Sequence, residues 1–554
     1  MPEPLEQMII QKAEGNPFFL EELTRAVMEQ GARQEAVLVP DTIQGVLSAR
    51  IDRLPEAHKR LLQTAAVLGR AFSPWLLEAM WDGTGPLEPL LAELKGLEFL
   101  YERAEGERPV YVFKHALTQE VAYDSLLTIR RQVLHAAAGH AMERLYHDWL
   151  AEHSEALAHH FTLGAVWDKA FAYLTKSGDK ARQSDANQEA MAFYTHALEV
   201  SQRITPALDE AHLLPVYEGR GLVWMLLTKP EAAIADFQRM HALACASGQP
   251  HQEGMSLCHL AFAYYQTQSD DHLPLIEHYA QEAQHLAQRL GHANIRAQSL
   301  TALGSVAVNR GQVEDAERHF AASLQISRRE GYNDALPRTL RFLSSLAYWQ
   351  GHFPSAIHRA QEGAMIARDL QEGFHELHCL TFLSLACWSQ GDYRQAFRVT
   401  HEVMTRAHAW HNIFFLSRMQ NHLGWFSREL GAVSRAAELD HESTDLGRTH
   451  GIANVEVSAL INLGWDYLAL GQPTRAWSYL APTLDRVVRE AFGSHNWRWQ
   501  MRILLGLAEL SSMTGDYDQA LRDVEEGLKE AQRTSSQKYV ALGWALRGKI
   551  VAKL

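Results

Sequence analysis

Six side chains that could bind a partner recur at helical spacing in two segments of the chain. They are Arg338, Arg341, Arg418, Asn421, Trp425 and Arg428. Because residues three and four positions apart share one face of a helix, each segment presents its members on the same side. Arginine and tryptophan are favoured anchors in protein interfaces. The pattern predicts a binding surface for a protein or peptide segment, and the alternative is that these are ordinary solvated positions.

Other arrangements that could do chemistry are weak or missing. The tightest cluster of metal-type ligands is His375, His378 and Cys379, but a zinc site needs three or four convergent ligands, and H-E-x-x-H does not occur. The chain also has no G-x-x-x-x-G-K-[ST] loop to hold phosphates, and no acid–base or nucleophile constellation stands out. We therefore predict no metal site and no enzymatic activity for this chain alone.

The elements that carry the six side chains belong to an internal repeat. Glycine recurs every 40 residues, and alanine keeps the same interval five residues later, from Ala316 to Ala476. Leucine recurs eight residues before each glycine and is always followed by a small residue, such as Gly304 or Ser344. The glycines are Gly311, Gly351, Gly391, Gly431 and Gly471. Three registers in phase over five copies indicate a solenoid.

Each repeat reads as a helix, a tight turn and a second, antiparallel helix. The turn glycine can adopt the left-handed conformation that ends the first helix, and the small residue lets the two helices approach closely. This order of residues resembles the tetratricopeptide repeat, with longer helices. Weaker copies extend the pattern on both sides, with an offset of 44 residues to Gly515. The sequence predicts an all-α solenoid of such helix pairs, right-handed, over 131–554.

Bulk composition limits the partners. The net charge of −14 disfavours nucleic acid and anionic membranes. The amino-terminal segment has no secretory signal pattern, and no apolar run reaches the roughly 18 residues that a membrane helix needs. Four cysteines without paired spacing fit reduced thiols. These features predict a cytoplasmic protein.

The first 130 residues lack the repeat and predict a different domain. Helices are expected after Pro17, Thr42, Pro55, Ser73 and Pro86, followed by two β-like runs at 99–104 and 109–114. Helices followed by a small hairpin are the layout of a winged-helix domain. The helix that would read DNA carries three glutamates against one lysine, so we predict a structural hinge and no DNA binding.

Several motifs in this region resemble one family. In order they are GNPFFLEEL, VPDTIQGVLSARIDRLPEAHKRLLQTAAVLGRAF, YVFKHALTQEVAYDSLL, LHAAAGHAMERLY and LAHHF. They look like the C-terminal half of bacterial signal-transduction ATPases of the STAND class, closest to those that follow a class III adenylate/guanylate cyclase domain. LuxR-type regulators share the same middle part. The resemblance divides the chain into an ATPase lid remnant at 1–34, a winged helix at 35–130 and the solenoid at 131–554.

This resemblance implies roles for four residues. Gly15, Asn16 and Pro17 match the G-x-P signature of the lid that closes over the nucleotide. His115 matches the winged-helix histidine that contacts the β-phosphate of ADP and holds the resting state. ATP or ADP would bind only with an upstream ATPase domain, in cis or in trans, so no cofactor is expected in this chain itself.

The resulting functional hypothesis is a non-catalytic regulatory and interaction arm. A partner or inducer bound in the groove of the solenoid would bias the nucleotide state of the parent ATPase through its differential affinity for the two states. The alternative is a freestanding repeat scaffold with no link to a nucleotide. An enzyme, metal-dependent or otherwise, is the weakest of the three hypotheses.

Overall fold

The computed structural model describes residues 3–13, 15, 17–30, 42–83, 85–105, 108–489 and 496–554. Asn16 and the predicted boundary at 34/35 lie outside these residues. Contacts divide the chain into two compact units, which we call unit 1 (1–177 and 196–208) and unit 2 (178–195 and 209–554). Among the described helices, none combines the length and the apolar content needed to cross a lipid bilayer.

Unit 1 combines helices with a small antiparallel sheet. Its elements, in chain order, are α1 (Glu3–Ala13), α2 (Pro17–Gln30), α3 (Ile43–Asp52), α4 (Glu56–Val67), β1 (Ala71–Phe72), α5 (Pro74–Met80), α6 (Leu87–Gly96), β2 (Leu100–Glu105), β3 (Arg108–Phe113), α7 (Ala116–Asp124), α8 (Thr128–Leu145) and α9 (Ser154–Leu163). Helix α10 (Trp167–Gln183) crosses into unit 2. The strand order is β1–β3–β2.

The sheet of unit 1 confirms the predicted hairpin to within one residue at each end. Leu100 pairs with Phe113 and Glu105 with Arg108, while β1 adds a third strand through Ala71 and Val112. Two residues are too short to show a strand alternation, so β1 could not be predicted. Thr42 begins α3 by accepting a hydrogen bond from the Gly45 amide, as a helix cap does.

Unit 2 is a stack of antiparallel helix pairs, as the repeat predicts. After the end of α10 its helices are α11 (Asn187–Ser201), α12 (Leu214–Leu226), α13 (Pro230–Ala246), α14 (Pro250–Gln266), α15 (Leu273–Leu290), α16 (Ala293–Asn309), α17 (Val313–Glu330), α18 (Leu336–Trp349), α19 (Phe353–Asp369), α20 (Gly373–Gln390), α21 (Tyr393–Ala409), α22 (Ile413–Glu429), α23 (Val433–Thr449), α24 (Ala453–Ala469), α25 (Pro473–Arg489), α26 (Asn496–Thr514), α27 (Tyr517–Arg533) and α28 (Gln537–Val551). The last residues of α11 belong to unit 1. This architecture confirms the predicted fold class.

The turn and packing residues of the repeat do what their types predict. All five turn glycines have positive φ, from 68° at Gly471 to 94° at Gly391. The small residue of the first helix receives a side chain of the second: Phe320 packs on Gly304 and Leu480 on Gly464. These contacts hold each helix pair together, because only a small residue leaves room for the facing ring or leucine.

Repeats far apart in the sequence also touch within unit 2. Trp497 Nε1 donates to the Val308 carbonyl at 3.0 Å across 189 residues. Asn412 Nδ2 donates to the Leu226 carbonyl at 3.1 Å across 186 residues. The stack therefore coils until its successive turns meet, and residues of the first helices line the interior of the coil.

Candidate functional site

The interior of unit 2 contains three neighbouring cavities, which together we call the lumen. The central chamber measures about 540 Å³, the upstream chamber about 280 Å³ and the downstream chamber about 250 Å³. Arg341 borders the upstream and central chambers, and Arg418 and Arg498 border the central and downstream chambers. These shared lining residues make the three cavities direct neighbours.

All six side chains predicted to bind a partner lie on the wall of this lumen. Arg338 and Arg341 line the upstream chamber. The downstream chamber is lined by the other four, Arg418, Asn421, Trp425 and Arg428. The structure thus brings the two predicted segments together, although binding itself stays a prediction.

Sequence reasoning missed several polar residues of the lumen, and the repeat carried a signal for some of them. One register of first-helix residues, at intervals of 40, lines the lumen throughout: Gln298, Arg338, His378, Arg418 and Ser458. The 44-residue offset of the next repeat continues this register to Arg502, which also lines the downstream chamber. Arg498 and Lys538 continue a second register that lines the lumen, that of Phe374, Phe414 and Asn454. Tyr265 belongs to a third, that of Ser345, Leu385 and Trp425.

Aromatic rings surround the guanidinium groups of the central chamber. The Arg418 guanidinium lies 5.9 Å from the ring centre of Phe382 and 5.8 Å from that of Phe414. Arg341 lies 4.3 Å from the ring centre of Phe342. Among the described residues, neither guanidinium forms an ion pair, and Arg418 Nε is shielded from solvent without a hydrogen-bond partner. Rings position these cations without neutralising them.

Burial makes these cations costly. Desolvation, reinforced by neighbouring guanidinium groups, lowers the pKa of Arg418 to about 10 and that of Arg498 to about 9. Desolvation likewise lowers the pKa of Lys538 to about 8. The shifts share one largest cause, which is the burial of a positive charge away from water.

Three predicted residues of the downstream chamber, Asn421, Trp425 and Arg428, differ from Arg418 because they are already paired. Arg428 forms an ion pair with Asp466 at 2.9 Å. Asn421 Nδ2 donates to Asp440 Oδ1 at 2.7 Å, and Asn462 Nδ2 donates to the same oxygen at 3.2 Å. Trp425 Nε1 donates to Glu429 at 2.6 Å. This wall is a connected polar network whose geometry is fixed before any ligand enters.

In the upstream chamber Arg338 is likewise engaged, and the histidines of the predicted cluster are buried. Arg338 donates toward Gln298 Oε1 at 3.5 Å, and its guanidinium stacks on Phe262 at 3.6 Å. His375 and His378 lie in the interior, where desolvation places their pKa well below the usual value. Within the described ranges, no group of three or more histidine, cysteine or acidic residues is arranged to hold a metal ion.

In unit 1 the structure brings two of the predicted nucleotide-facing segments together. Pro17 begins α2 and follows Gly15, whose φ is 80°. The next residue, Phe18, packs on His115 with ring centres 3.9 Å apart. His115 immediately precedes α7, and its Nε2 is buried without a hydrogen-bond partner among the described residues. Burial lowers the pKa of this histidine.

Charged residues surround this contact. Lys114 donates to Glu21 at 2.7 Å and to Glu98 at 2.6 Å. Of these bonds, the one to Glu98, together with a further one from Arg25, lowers the pKa of Glu98 to about 2. They connect α2 to the residue next to His115, so the beginning of α2 is tied to the segment that carries the histidine.

Comparison with known proteins matches the repeat to one family. Residues 296–330 match the family model of the tetratricopeptide repeat. An uncharacterized protein of Rhizobium meliloti (strain 1021) is 26% identical over 212 residues, which are 36% of this chain and 20% of that protein. The chain thus spans about a fifth of the length of this relative.

Two solved structures are similar at low sequence identity. One is the signal transduction ATPase with numerous domains and a tetratricopeptide repeat sensor from Pyrococcus horikoshii, at TM-score 0.41 and 12% identity over 99% of this chain and 74% of that one. The other is NprR in complex with its cognate peptide NprX, at TM-score 0.40 and 12% identity over 68% of this chain and 98% of that one. Residues 296–330 thus match the tetratricopeptide repeat, and unit 2 as a whole is a stack of antiparallel helix pairs.

Proposed function

We propose that this chain is the non-catalytic sensor and interaction arm of a signal-transduction ATPase, and that its ligand binds in the lumen of unit 2. The observation that supports this most is that all six predicted side chains line the lumen. A ligand in the central chamber contacts α18, α20, α22 and α26 at once. Such a ligand favours whichever arrangement of the coil fits it best, and this differential affinity is what a sensor needs.

The size and lining of the lumen suit a small inducer or a short stretch of a partner chain. The central chamber, at about 540 Å³, has a volume typical of ligand sites, which range over roughly 300–1,000 Å³. Its wall combines aromatic rings with a few polar groups. The rings provide contact area, and the polar groups provide orientation.

The second part of the proposal links unit 1 to a nucleotide. His115 fits the role of a phosphate contact because its Nε2 is buried and lacks a partner among the described residues. Gly15 and Pro17 lie at the start of α2, beside the Phe18 ring that packs on this histidine. The nucleotide would bind only with an upstream ATPase domain, because this chain has no phosphate-binding loop.

Ligand binding in the lumen is tested by filling it. A library of peptides and metabolites is screened for compounds that raise the unfolding temperature of the chain, since a ligand that binds only the folded state stabilises it. Ser345→Trp should abolish the effect, because Ser345 lines the central chamber and Trp425 and Trp465 occupy the same register in later repeats. Ser478→Trp, on an exposed position of α25, is the matched control.

The contrary result would be ligands that stabilise the wild type and Ser345→Trp equally, or no ligand at all. The first outcome places binding elsewhere, and the second leaves a scaffold that holds partners on its outer surface.

The nucleotide link is tested with the ATPase domain joined to this chain. His115→Ala should speed the loss of bound fluorescent ADP. His147→Ala should not, because the side chain of His147 is 71% exposed to solvent. Equal ADP retention in both variants would favour the alternative, a freestanding scaffold.

A further inference from the structure

The charges around the lumen indicate the chemistry of its ligand, an inference that rests on the proposed ligand-binding function. We propose that the central chamber binds an oxyanion, a carboxylate or a phosphate, between the guanidinium groups of Arg341, Arg418 and Arg498. The oxyanion belongs to a ligand with an apolar body, which the aromatic wall of the same chamber accommodates.

The three guanidinium groups lack counterions among the described residues. Arg341 and Arg498 are each only 6% exposed. In the described part of unit 2, none of the three guanidinium groups forms an ion pair, and the hydrogen bond of Arg498 goes to the neutral Asn454 side chain at 3.2 Å. A buried charge is normally paired, because a charge that leaves water without gaining a partner destabilises the folded state.

The pairing of other shielded arginines in unit 2 differs from that of these three. Two other shielded arginines each have a carboxylate: Arg428 pairs with Asp466 at 2.9 Å and Arg220 with Asp236 at 2.7 Å. Neither of them borders the central chamber. Arg338 and Arg502, on the walls of the other two chambers, also lack a carboxylate but donate to Gln298 and Asn462. Arg341 and Arg418 are the central-chamber arginines for which the described residues provide neither kind of partner, so a ligand there could supply the missing negative charge.

The central chamber has a local excess of positive charge within an acidic protein. The whole chain carries a net charge of −14. The described lining of the central chamber contains three arginines and Lys229 but a single acidic residue, Glu231, and both Lys229 and Glu231 are exposed. A positive chamber within a negative chain attracts anions specifically, since low-dielectric walls concentrate the field.

Aromatic rings hold the guanidinium groups in orientations that suit an oxyanion. Arg418 is flanked by Phe382 and Phe414, and Arg341 lies over Phe342. Contact with ring faces fixes a guanidinium while leaving its N–H groups free to donate in its own plane. Arg418 Nε, which is buried and unpaired, is one such donor. Planar forks held in this way match the two oxygens of a carboxylate or phosphate.

The rest of the chamber wall defines the body of the ligand. Tyr265, Phe342, Phe374, Phe382 and Phe414 line the central chamber together with the arginines. Because large apolar rings surround the charged groups, an organic anion with an aromatic or aliphatic part is favoured over a free inorganic ion.

The test uses three probes of similar size: benzoate, phenyl phosphate and the neutral benzyl alcohol. Binding to the full chain is measured by calorimetry at low salt, with inorganic phosphate as a fourth titrant. At least one oxyanion probe should bind, and Arg418→Met should weaken it about tenfold or more, as the loss of a charge-assisted hydrogen bond does. Arg394→Met, at an exposed position of α21, should leave binding unchanged.

Each outcome decides the inference. Binding of benzoate alone assigns the site to a carboxylate, and binding of phenyl phosphate alone assigns it to a phosphate ester. Equal binding of benzyl alcohol, or affinity unchanged in both Arg418→Met and Arg341→Met, overturns the inference. A neutral ligand that Ser345→Trp abolishes would overturn the oxyanion inference while leaving the proposed function intact. If no compound binds in the lumen, both fail.

Discussion

The Asp440 carboxylate occupies the space that Gly424 leaves between α22 and α23, and a Cβ at Gly424 would overlap it. In the equivalent slots of other repeats, Phe320 packs on Gly304 and Leu480 packs on Gly464. One repeat therefore holds a carboxylate where two others hold a large apolar group. This carboxylate accepts hydrogen bonds from Asn421 and Asn462, two residues of the lumen wall.

Replacing this carboxylate should change the response of stability to pH. Burial, followed by the charge of Asp466, holds the pKa of Asp440 well above its usual value of 3.8. The folded state thus keeps a proton that the unfolded state releases, so wild-type stability falls as pH rises above about 4. Asp440→Asn removes that proton uptake and preserves the acceptor for both asparagines. Its unfolding temperature should exceed that of the wild type increasingly toward alkaline pH.

The measurement is thermal unfolding of both proteins at about pH 5 and about pH 8, where one linked proton changes stability by up to about 1.4 kcal/mol per pH unit. Asp485→Asn, at an exposed position of α25, is the control. A constant difference between Asp440→Asn and the wild type at both pH values would refute the prediction that Asp440 keeps its proton in the folded state.

The slot between the helices also predicts a specific non-additivity. Gly304→Ser should overlap the Phe320 ring and destabilise unit 2 by about 1–3 kcal/mol, and Phe320→Ala should cost about 3–5 kcal/mol. The double variant recreates the Ser344/Ala360 pair of the next repeat, in which Ser344 Oγ donates to the Ala356 carbonyl at 2.8 Å. Its cost in a urea titration should fall below the sum by about 1 kcal/mol or more. Strict additivity would mean that the two positions do not share one slot.

The sequence could predict the helix pairs because the turn glycine and the small packing residue must recur at fixed positions. It could not predict that the stack closes on itself. The contact of Trp497 with Val308 depends on small rotations that accumulate over several repeats, and the 40-residue interval does not record their size. For the same reason, the sequence placed Arg418 on the inner face but could not show that no described carboxylate reaches it.

A buried histidine pair should make unit 1 sensitive to acid. His135 Nδ1 lies 3.0 Å from His160 Nδ1, and the Tyr123 hydroxyl lies 3.0 Å from His135 Nε2. Burial lowers the pKa of His135 to about 3 and that of His160 to about 4, from 6.5. The unfolded state therefore takes up protons first as pH falls below about 6.5, and the folded state loses stability from there to about pH 4.

His160→Gln should reduce this sensitivity, because glutamine keeps a donor and an acceptor but does not titrate. The acid-induced loss of helical circular dichroism should begin at a lower pH in this variant than in the wild type. His147→Gln, at an exposed position, should follow the wild type. An unchanged acid transition in His160→Gln would mean that the pair is already charged or solvated in the folded protein.

Two arginines of the lumen should respond to the same substitution in opposite ways. Arg428→Met leaves Asp466 buried without its cation and should destabilise unit 2 by about 3–5 kcal/mol. Arg418→Met removes a cation that has no ion-pair partner among the described residues and keeps an apolar stem against Phe382, so it should be neutral or stabilising. Urea unfolding of both variants measures the contrast. Because an unpaired buried charge lowers stability, a neutral or stabilising outcome would support the proposed role of Arg418 in binding, and a marked loss of stability would instead make this arginine a structural residue.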